Sequence, residues 1–383
     1  AWHVRRGASF ENVGQWKRPW FYPREGEDMH AAVNRECLAA RNGVGVLDAS
    51  TLGKIDIRGP DAARLLNLLY TNNWDNLQPG RCRYGFMLGE DGMIMDDGVT
   101  TCLAPGHYLM TTTTGGAAAV LTWMERWLQT EWPDLKVYLT SVTDQWNVMS
   151  VAGPDARTVL QRAGCDLELD GDAFPFMSMQ VGQVAGIPAR VSRISFSGEL
   201  AFEISVDANQ GLALWEAIMV VGRDYDITPY GTESMHVLRA EKGYVIVGQD
   251  TDGSVTPVDL GMDWIVSKKK DFIGKRSLGR SDTDRPNRKQ LVGLKTQNPS
   301  RVLPEGAQLV NSRQEAQPVP MIGHVSSSYF SANLGRSIAL ALVKGGLSRM
   351  GGTIYAHLMD GSVVPATICE PVFFDPENQR TKS

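Results

Sequence analysis

The 383 residues include 43% hydrophobic and 21% charged residues, an ordinary globular composition that excludes an intrinsically disordered chain. A chain of this length is too long for one compact core, so we expect two or three domains. The formal net charge is −5 and the 38 Lys and Arg residues are scattered, which argues against a nucleic-acid-binding surface.

The cysteines and histidines predict neither disulfides nor a metal site. The five cysteines lie far apart without a Cys-x-x-Cys pair, and the six histidines include no His-x-x-x-His pair. No apolar run is long enough to cross a bilayer, and no signal-peptide pattern is present. We therefore expect a cytoplasmic protein that binds no metal, membrane or nucleic acid. The first residue is Ala1 rather than Met, consistent with a processed chain or with part of a longer one.

The first strand–helix unit is predicted at residues 54–66. A β-like run leads into Gly59-Pro60-Asp61, and Pro and Asp are typical of the first turn of a helix. Residues 147–160 repeat this order around Gly153-Pro154-Asp155. The repeat predicts two related halves.

A hairpin follows the first unit, because residues 83–88 and 93–102 are β-like and the turn-forming residues 89–92 separate them. Alternation in the second run places Asp97 on one face with Met93 and Met95. A carboxylate among apolar neighbours is paired, hydrogen-bonded or functional, because an unpaired buried charge costs several kcal/mol. The alternative is that Asp96-Asp97 is only a polar strand end or a bulge.

A helix is predicted at residues 116–130, and the second unit is followed by a hairpin of residues 189–194 and 200–206. In that hairpin Glu203 lies on the face opposite Phe202 and Ile204. The small neighbours on its own face leave room for a flat ligand, but a solvated strand face explains the same pattern. Both halves thus share the order strand, helix, hairpin.

Residues 231–243 predict a helix with Thr232 as N-cap and Gly243 at its end. Its polar residues follow i, i+3 spacing and form one stripe, namely Glu233, His236, Arg239 and Lys242. Such a stripe is usually solvated, and a single histidine does not by itself indicate catalysis. A polar linker follows at 277–287, and short β-like runs beyond it predict a small barrel or sandwich.

No Gly-x-Ser-x-Gly, P-loop or Gly-x-Gly-x-x-Gly motif is present, so hydrolase, NTPase and dinucleotide-binding functions lack support. Several segments taken in order do resemble one family over nearly the whole chain. They are 43–54, the two Gly-Pro units, 84–97, 192–203, Arg239 with Gly248-Gln249-Asp250, 272–275 and 335–343. The chain resembles the aminomethyltransferases, the glycine-cleavage T-protein and its relatives.

Residues 10–20, 111–116 and 235–244 are similar to one branch, the folate-binding part of heterotetrameric sarcosine oxidase α subunits. T-proteins usually carry Arg-Asp where this chain has Met235-His236, and Asn where it has Thr113. These departures argue against a role in glycine cleavage itself.

The resemblance implies an α+β fold of three domains in a cloverleaf. Residues 1–280 would form two intertwined α+β domains with the internal repeat, and residues 288–383 would form a small C-terminal β-barrel. Folate would bind in a central channel. By position, Asp97 corresponds to the catalytic acid beside the reactive folate nitrogens and Glu203 to the carboxylate that holds the pterin. The remaining channel residues would be Tyr84, Thr113, Arg193, Phe196, His236, Arg239 and Tyr244.

The function implied is tetrahydrofolate-dependent capture of the methyl-derived carbon of sarcosine or a similar N-methyl amine, as methylenetetrahydrofolate. The chain would then belong to a sarcosine oxidase α subunit, with flavin and NAD only on partner subunits or on a missing upstream region. Two alternatives remain open. They are a free-standing folate-dependent demethylase or aminomethyltransferase, and a non-catalytic folate-binding regulatory protein.

Overall fold

The computed structural model describes residues 1–314 and 318–383. The N-terminal segment consists of α1 (Trp2–Arg5), β1 (Ser9–Val13), β2 (Trp16–Phe21), α2 (Met29–Asn42) and β3 (Gly45–Asp48). β1 and β2 pair only with each other, whereas β3 is a strand of a larger sheet further along the chain.

Two halves with the same order of elements follow. The first half contains β4 (Gly53–Arg58), α3 (Ala62–Leu69), β5 (Cys82–Leu88), β6 (Ile94–Ala104), β7 (His107–Thr112), α4 (Ala117–Thr130) and β8 (Tyr138–Ser141). The second contains β9 (Trp146–Ala152), α5 (Ala156–Arg162), β10 (Ser178–Val184), β11 (Ile187–Arg193), β12 (Ala201–Asp207), α6 (Gly211–Val221) and β13 (Thr228–Pro229). The strand orders are β5-β6-β7-β4-β8 and β10-β11-β12-β9-β3-β13. The prediction of two related halves is confirmed, with β3 inserted into the second sheet.

The Gly-Pro turn of each unit requires its glycine. Gly59 and Gly153 have φ values of 141° and 129°, and a Cβ atom would lie 2.0 Å from the Lys136 carbonyl oxygen or 2.3 Å from that of Gly43. Their N–H groups donate to equivalent carbonyls, of Gly106 and Leu200, at 2.9 Å each. Only glycine combines this backbone conformation with such close backbone contact.

Each half has its own apolar core. Ile55 and Ile57 of β4 pack with Leu65 and Leu66 of α3 in the first half, and Phe202 and Ile204 lie in the core of the second. A third, central core joins α2, the start of β6, a helix after the second half and the outer face of the barrel. This central core holds the two halves and the barrel together.

The chain after the second half forms α7 (Thr232–Glu241), then the barrel strands and α8. These are β14 (Lys289–Thr296), β15 (Gln308–Val310), β16 (Gly323–Ser331), β17 (Arg336–Lys344), β18 (Thr353–His357), β19 (Val363–Cys369) and α8 (Gln379–Lys382). The barrel is closed in the order β14-β17-β16-β15-β18-β19, because β14 also pairs with β19. The predicted C-terminal barrel is confirmed.

Alternation along β17 explains its continuous apolar sequence. Ala339, Ala341 and Val343 point into the barrel, whereas Leu340 and Leu342 pack outward in the central core. Strands β15 and β18 were not predicted, because short strands carry little periodic signal. Thr232 is not the N-cap of α7, since Gly231 is the N-cap residue and the Thr232 hydroxyl instead donates to Glu11. None of the helices in the described ranges is long and apolar enough to cross a bilayer.

Candidate functional site

Asp97 lies in the β5–β6 hairpin, directly opposite Phe86. Next to it the ladder skips Met95, because Met87 pairs with Asp96 and Leu88 pairs with Ile94. The bulge reverses the alternation, so that Ile94 lies in the central core and Met95 packs in the core of the first half. The prediction that Met95 shares the face of Asp97 is therefore wrong.

The Asp97 carboxyl is hydrogen-bonded and electrostatically unusual. The Tyr84 hydroxyl donates to its Oδ2 at 2.6 Å. Burial raises the pKa of Asp97 to about 7, the Tyr84 hydrogen bond opposes that rise, and the neighbouring Asp96 charge adds to it. Near neutral pH this carboxyl can therefore both hold and release a proton.

Asp96 points to the opposite side of the sheet. Its Oδ1 accepts a hydrogen bond from the Thr113 backbone N–H at 3.3 Å, and burial raises its pKa to about 6. Thr113 itself accepts a hydrogen bond from the Gly116 N–H on its Oγ1, at 3.1 Å. The structure thus places Thr113 beside Asp96, at the beginning of α4.

Glu203 of β12 faces away from the core of the second half. Its cross-strand neighbours are Ser150 on β9 and Ser192 on β11. No described residue donates a hydrogen bond to its carboxylate. Burial raises the pKa of Glu203 to about 7, and only the positive charge of Lys54 opposes that rise. A partly buried carboxylate without a protein donor is suited to accept hydrogen bonds from a ligand.

Lys54 was missed by the sequence analysis. It is 2% exposed, and its Nζ donates to the carbonyl oxygens of Ser50 and Leu52 at 2.8 Å each. Burial lowers the pKa of Lys54 to about 8, and Glu203 is the carboxylate that opposes this most strongly. The signal available in the sequence was strand alternation, which puts Lys54 on the face opposite Ile55.

Two aromatic residues predicted for the site lie together. The rings of Phe196, in the β11–β12 loop, and Tyr244, after α7, are stacked with centroids 6.1 Å apart and planes at 23°. Both side chains are partly buried. They offer a flat apolar surface of the kind that binds a ring system.

The guanidinium groups of the two predicted arginines make their hydrogen bonds within the protein. Arg193 lies on the face of β11 opposite Ser192, and it donates to the carbonyls of Phe174 and Ser383 at 2.6 Å each. Arg239 is fully buried and binds Asp250 at 2.5 Å and the Ser327 hydroxyl at 2.7 Å. Both guanidinium groups hold parts of the chain together, and their role in ligand binding stays a prediction.

His236 is separate from Asp97 and Glu203. It lines a cleft of about 660 Å³ between α2, α7 and the barrel, and none of Asp97, Tyr84 and Glu203 lines that cleft. Burial lowers the pKa of His236 to about 4, so the imidazole is neutral at physiological pH. The structure therefore brings Tyr84 to Asp97 and Phe196 to Tyr244, but it does not bring His236 to either carboxylate.

Comparison with known proteins gives two family models that match consecutive parts of the chain. A GCVT N-terminal domain matches residues 1–270, and a glycine cleavage T-protein C-terminal barrel domain matches residues 289–375. Among solved structures, the glycine cleavage system aminomethyltransferase T from Bartonella henselae has a similar fold. The TM-score is 0.83 at 26% identity, covering 97% of this chain and 96% of that one.

Curated relatives fall into two groups. Sarcosine oxidase subunit alpha of Corynebacterium sp. strain U-96 is 55% identical over 382 residues, which cover 99% of this chain and 40% of that protein. The probable aminomethyltransferase of Halobacterium salinarum is 32% identical over 381 residues, covering 97% of both chains. The chain therefore spans about 40% of the length of the sarcosine oxidase relative.

Proposed function

This chain belongs to the glycine cleavage T-protein family of aminomethyltransferases, and on that premise we propose that it binds tetrahydrofolate and loads it with a one-carbon unit. The family implies folate binding, and the relatives named above are enzymes, so the prediction of an enzyme of this family is confirmed. The observation that carries the proposal is a pair of partly buried carboxyls, Asp97 and Glu203, whose pKa values are both raised to about 7.

Glu203 is proposed to hold the pterin ring. A reduced 2-amino-4-oxo pterin presents two adjacent N–H donors, and a carboxylate accepts both in a bidentate arrangement. Ser150 and Ser192 leave space beside Glu203, and no protein donor competes for its oxygens. The donor set of the ring therefore fits the acceptor set that this strand face provides, which fixes orientation before chemistry.

Asp97 is proposed to be the catalytic residue. Tetrahydrofolate, when bound, supplies the nucleophilic nitrogens that take up the one-carbon unit. Asp97 provides a fixed negative charge for the positive charge that develops there, and its pKa of about 7 allows it to accept the released proton. Tyr84 fixes the carboxyl through its hydroxyl, which donates to Oδ2 at 2.6 Å.

The proposed source of the one-carbon unit rests on the similarity to the relatives and not on the geometry of the site. We propose that the chain is the folate-binding part of a sarcosine oxidase α subunit, which captures the methyl-derived carbon of sarcosine or a similar N-methyl amine as methylenetetrahydrofolate. Flavin and NAD would be bound by partner subunits or by a region upstream. The 55% identity to a sarcosine oxidase subunit alpha supports this assignment over a free-standing enzyme.

The test measures tetrahydrofolate binding and then formation of methylenetetrahydrofolate from supplied formaldehyde. Asp97→Ala should bind the folate but form product on the order of 100-fold more slowly. Asp134→Ala is the matched control, because Asp134 is exposed and makes no hydrogen bond or ion pair with any described residue. A native chain that binds no tetrahydrofolate would refute the proposal. Full activity in Asp97→Ala would leave a folate-binding protein without this mechanism.

A further inference from the structure

The face of β4 that carries Lys54 is opposed by the second half. Lys54, Asp56 and Arg58 share this face, whereas Ile55 and Ile57 fill the core of the first half. Asp56 and Arg58 line a pocket of about 330 Å³ together with residues of the second half, including Arg190.

Arg190 belongs to the same surface as Glu203. It pairs with Ser205, two residues beyond Glu203 on β12, and residues at that spacing share one face of a strand. Lys54 lies two residues before Asp56 on β4, and Glu203 lies two residues before Ser205 on β12. Both side chains therefore lie on the strand faces that meet at the junction between the two sheets.

The ammonium of Lys54 is held in a fixed position. Its two acceptors, the carbonyls of Ser50 and Leu52, belong to the loop that joins β3 to β4. The Ser50 hydroxyl accepts a hydrogen bond from the Val148 N–H on β9 at 3.1 Å, which ties this loop to the second sheet. The third ammonium N–H has no acceptor among the described residues.

Lys54 and Glu203 act on each other electrostatically without forming a direct ion pair. Lys54 has one N–H donor without an acceptor, and the Glu203 carboxylate accepts no hydrogen bond from any described residue. Together they present a donor followed by two acceptors. The edge of a 4-oxo pterin presents the complementary order, which is the carbonyl oxygen at position 4, the ring N–H at position 3 and the amino group at position 2.

We propose that Lys54 determines the specificity of the folate site, by donating to the 4-oxo group of the pterin while Glu203 accepts from the two neighbouring N–H groups. This inference rests on the proposed folate site. A 4-amino pterin carries N–H donors at the position that Lys54 contacts, so an ammonium there disfavours it. A site built to pair a polar group rejects the analogue that leaves that group unpaired.

The test compares the binding of tetrahydrofolate with that of its 4-amino analogue by titration calorimetry. The native chain should bind tetrahydrofolate at least about tenfold more tightly, because a hydrogen bond to a charged group contributes roughly that factor or more. Lys54→Met should weaken tetrahydrofolate binding by a similar factor without weakening the binding of the 4-amino analogue.

Lys270→Met is the matched control. Lys270 also donates from Nζ to two backbone carbonyls, those of Asn67 and Tyr70, and burial lowers its pKa to about 7. Its acceptors lie in and just after α3 rather than at the junction between the sheets, so its loss should leave the 4-oxo preference unchanged. An equal loss of both ligands in Lys54→Met would overturn the inference. A native chain that binds neither ligand would instead refute the folate site itself.

A second measurement needs no substitution. The charged groups that act on Lys54 are Glu203 of β12, Asp48 of β3 and Asp144 before β9. Because the Lys54 pKa is about 8, the ammonium loses its proton as the pH rises through that value, and the ratio of the two affinities should fall between pH 7 and 9. Lys54→Met, which has no ammonium, is measured over the same range and gives the part of the change that comes from the ionisation of Glu203. A ratio that stays constant over this range would contradict a charged donor at position 4.

Discussion

Asp56 in the first half and Glu203 in the second are carboxylates at related positions of the repeated fold, but they differ in their hydrogen-bond partners. Asp56 and Ser150 each lie three residues before the glycine of their Gly-Pro turn, and their ladder partners are Leu109 and Glu203. At this pair of ladder positions each half thus carries one carboxylate, but on different members of the strand pair. The repeated fold gives the two carboxylates related backbone positions, so the difference between them lies in the side chains around them.

The partners differ completely. The Asp56 oxygens are occupied, since Nε2 of His107 lies 2.6 Å from Oδ1 and Nε of Arg58 lies 2.5 Å from Oδ2. Glu203 accepts no hydrogen bond from the described residues and faces two serines. A carboxylate with all its partners in the protein stabilises the fold, whereas one without them is available to a ligand. The contrast therefore predicts opposite consequences for removing the two charges.

The largest effect is expected on folate binding. Glu203→Gln should weaken tetrahydrofolate binding by roughly 100-fold, because the bidentate pairing to a charged acceptor is lost. Asp56→Asn should leave the dissociation constant unchanged. Titration calorimetry on both variants checks this, and a similar loss in both would remove the distinction between an occupied and a free carboxylate.

The reverse is expected for stability. Asp56→Asn should lower the free energy of unfolding by about 1 to 2 kcal/mol, since two hydrogen bonds to a charged acceptor are weakened at a partly exposed site. Chemical denaturation of the folate-free protein measures this. Thr140→Ala, which removes a neighbour of Asp56 on β8 without removing a charge, serves as the control. An unchanged midpoint in Asp56→Asn would show that its partners contribute nothing net.

A smaller effect is expected from Tyr84, which contacts the other carboxyl of the site. Its hydrogen bond lowers the pKa of Asp97, so Tyr84→Phe should raise that pKa further above its ordinary value. In the proposed mechanism, methylenetetrahydrofolate formation needs the ionised Asp97 carboxylate, so the rise of the rate with pH, centred near the Asp97 pKa of about 7, should move to higher pH. Rates measured from pH 5.5 to 9 test this. A profile that moves to lower pH would contradict the assigned direction.

Much of this architecture was readable from the sequence. The Gly-Pro repeat predicted the two halves, because Gly59 and Gly153 occupy backbone positions that only glycine tolerates. Asp97 was singled out because a carboxylate within an apolar strand is unusual, and the family resemblance then implied its catalytic role. The bulge at Met95 could not be predicted, because one extra residue does not visibly change the hydrophobic pattern of so short a strand.

Lys54, Arg193 and Arg239 show why the rest of the site was not predictable. Each is a buried cation, and which carbonyl or carboxylate it meets depends on contacts distant in sequence. The family resemblance implied a channel position for Arg193, and the structure shows that its guanidinium donates to the carbonyl of Ser383, a contact that no local pattern predicts. Lys54 was not singled out, yet it is the cation that acts on Glu203. Local patterns give the face of a strand, whereas the partner across that face comes from the fold.

The last expected effect concerns the pH dependence of stability in the absence of folate. Because burial raises the Glu203 pKa from 4.5 to about 7, the folded chain holds a proton there that the unfolded chain has released. This group therefore stabilises the fold below about pH 4.5, and its contribution is lost as the pH rises to about 7. Glu203→Gln should remove that loss, so its melting temperature should exceed that of the native chain at pH 8 but not at pH 4.5.

Tetrahydrofolate should reverse this order, because it supplies the donors that Glu203 lacks and stabilises the native chain but not Glu203→Gln. Thermal unfolding at both pH values, with and without folate, separates the two effects. Glu168→Gln is the control, since Glu168 is exposed and forms no ion pair with a described residue. Equal melting temperatures for the native chain and Glu203→Gln at pH 8 without folate would mean that the ionised carboxylate is solvated at no cost. The contrast with Asp56 would then rest on ligand binding alone.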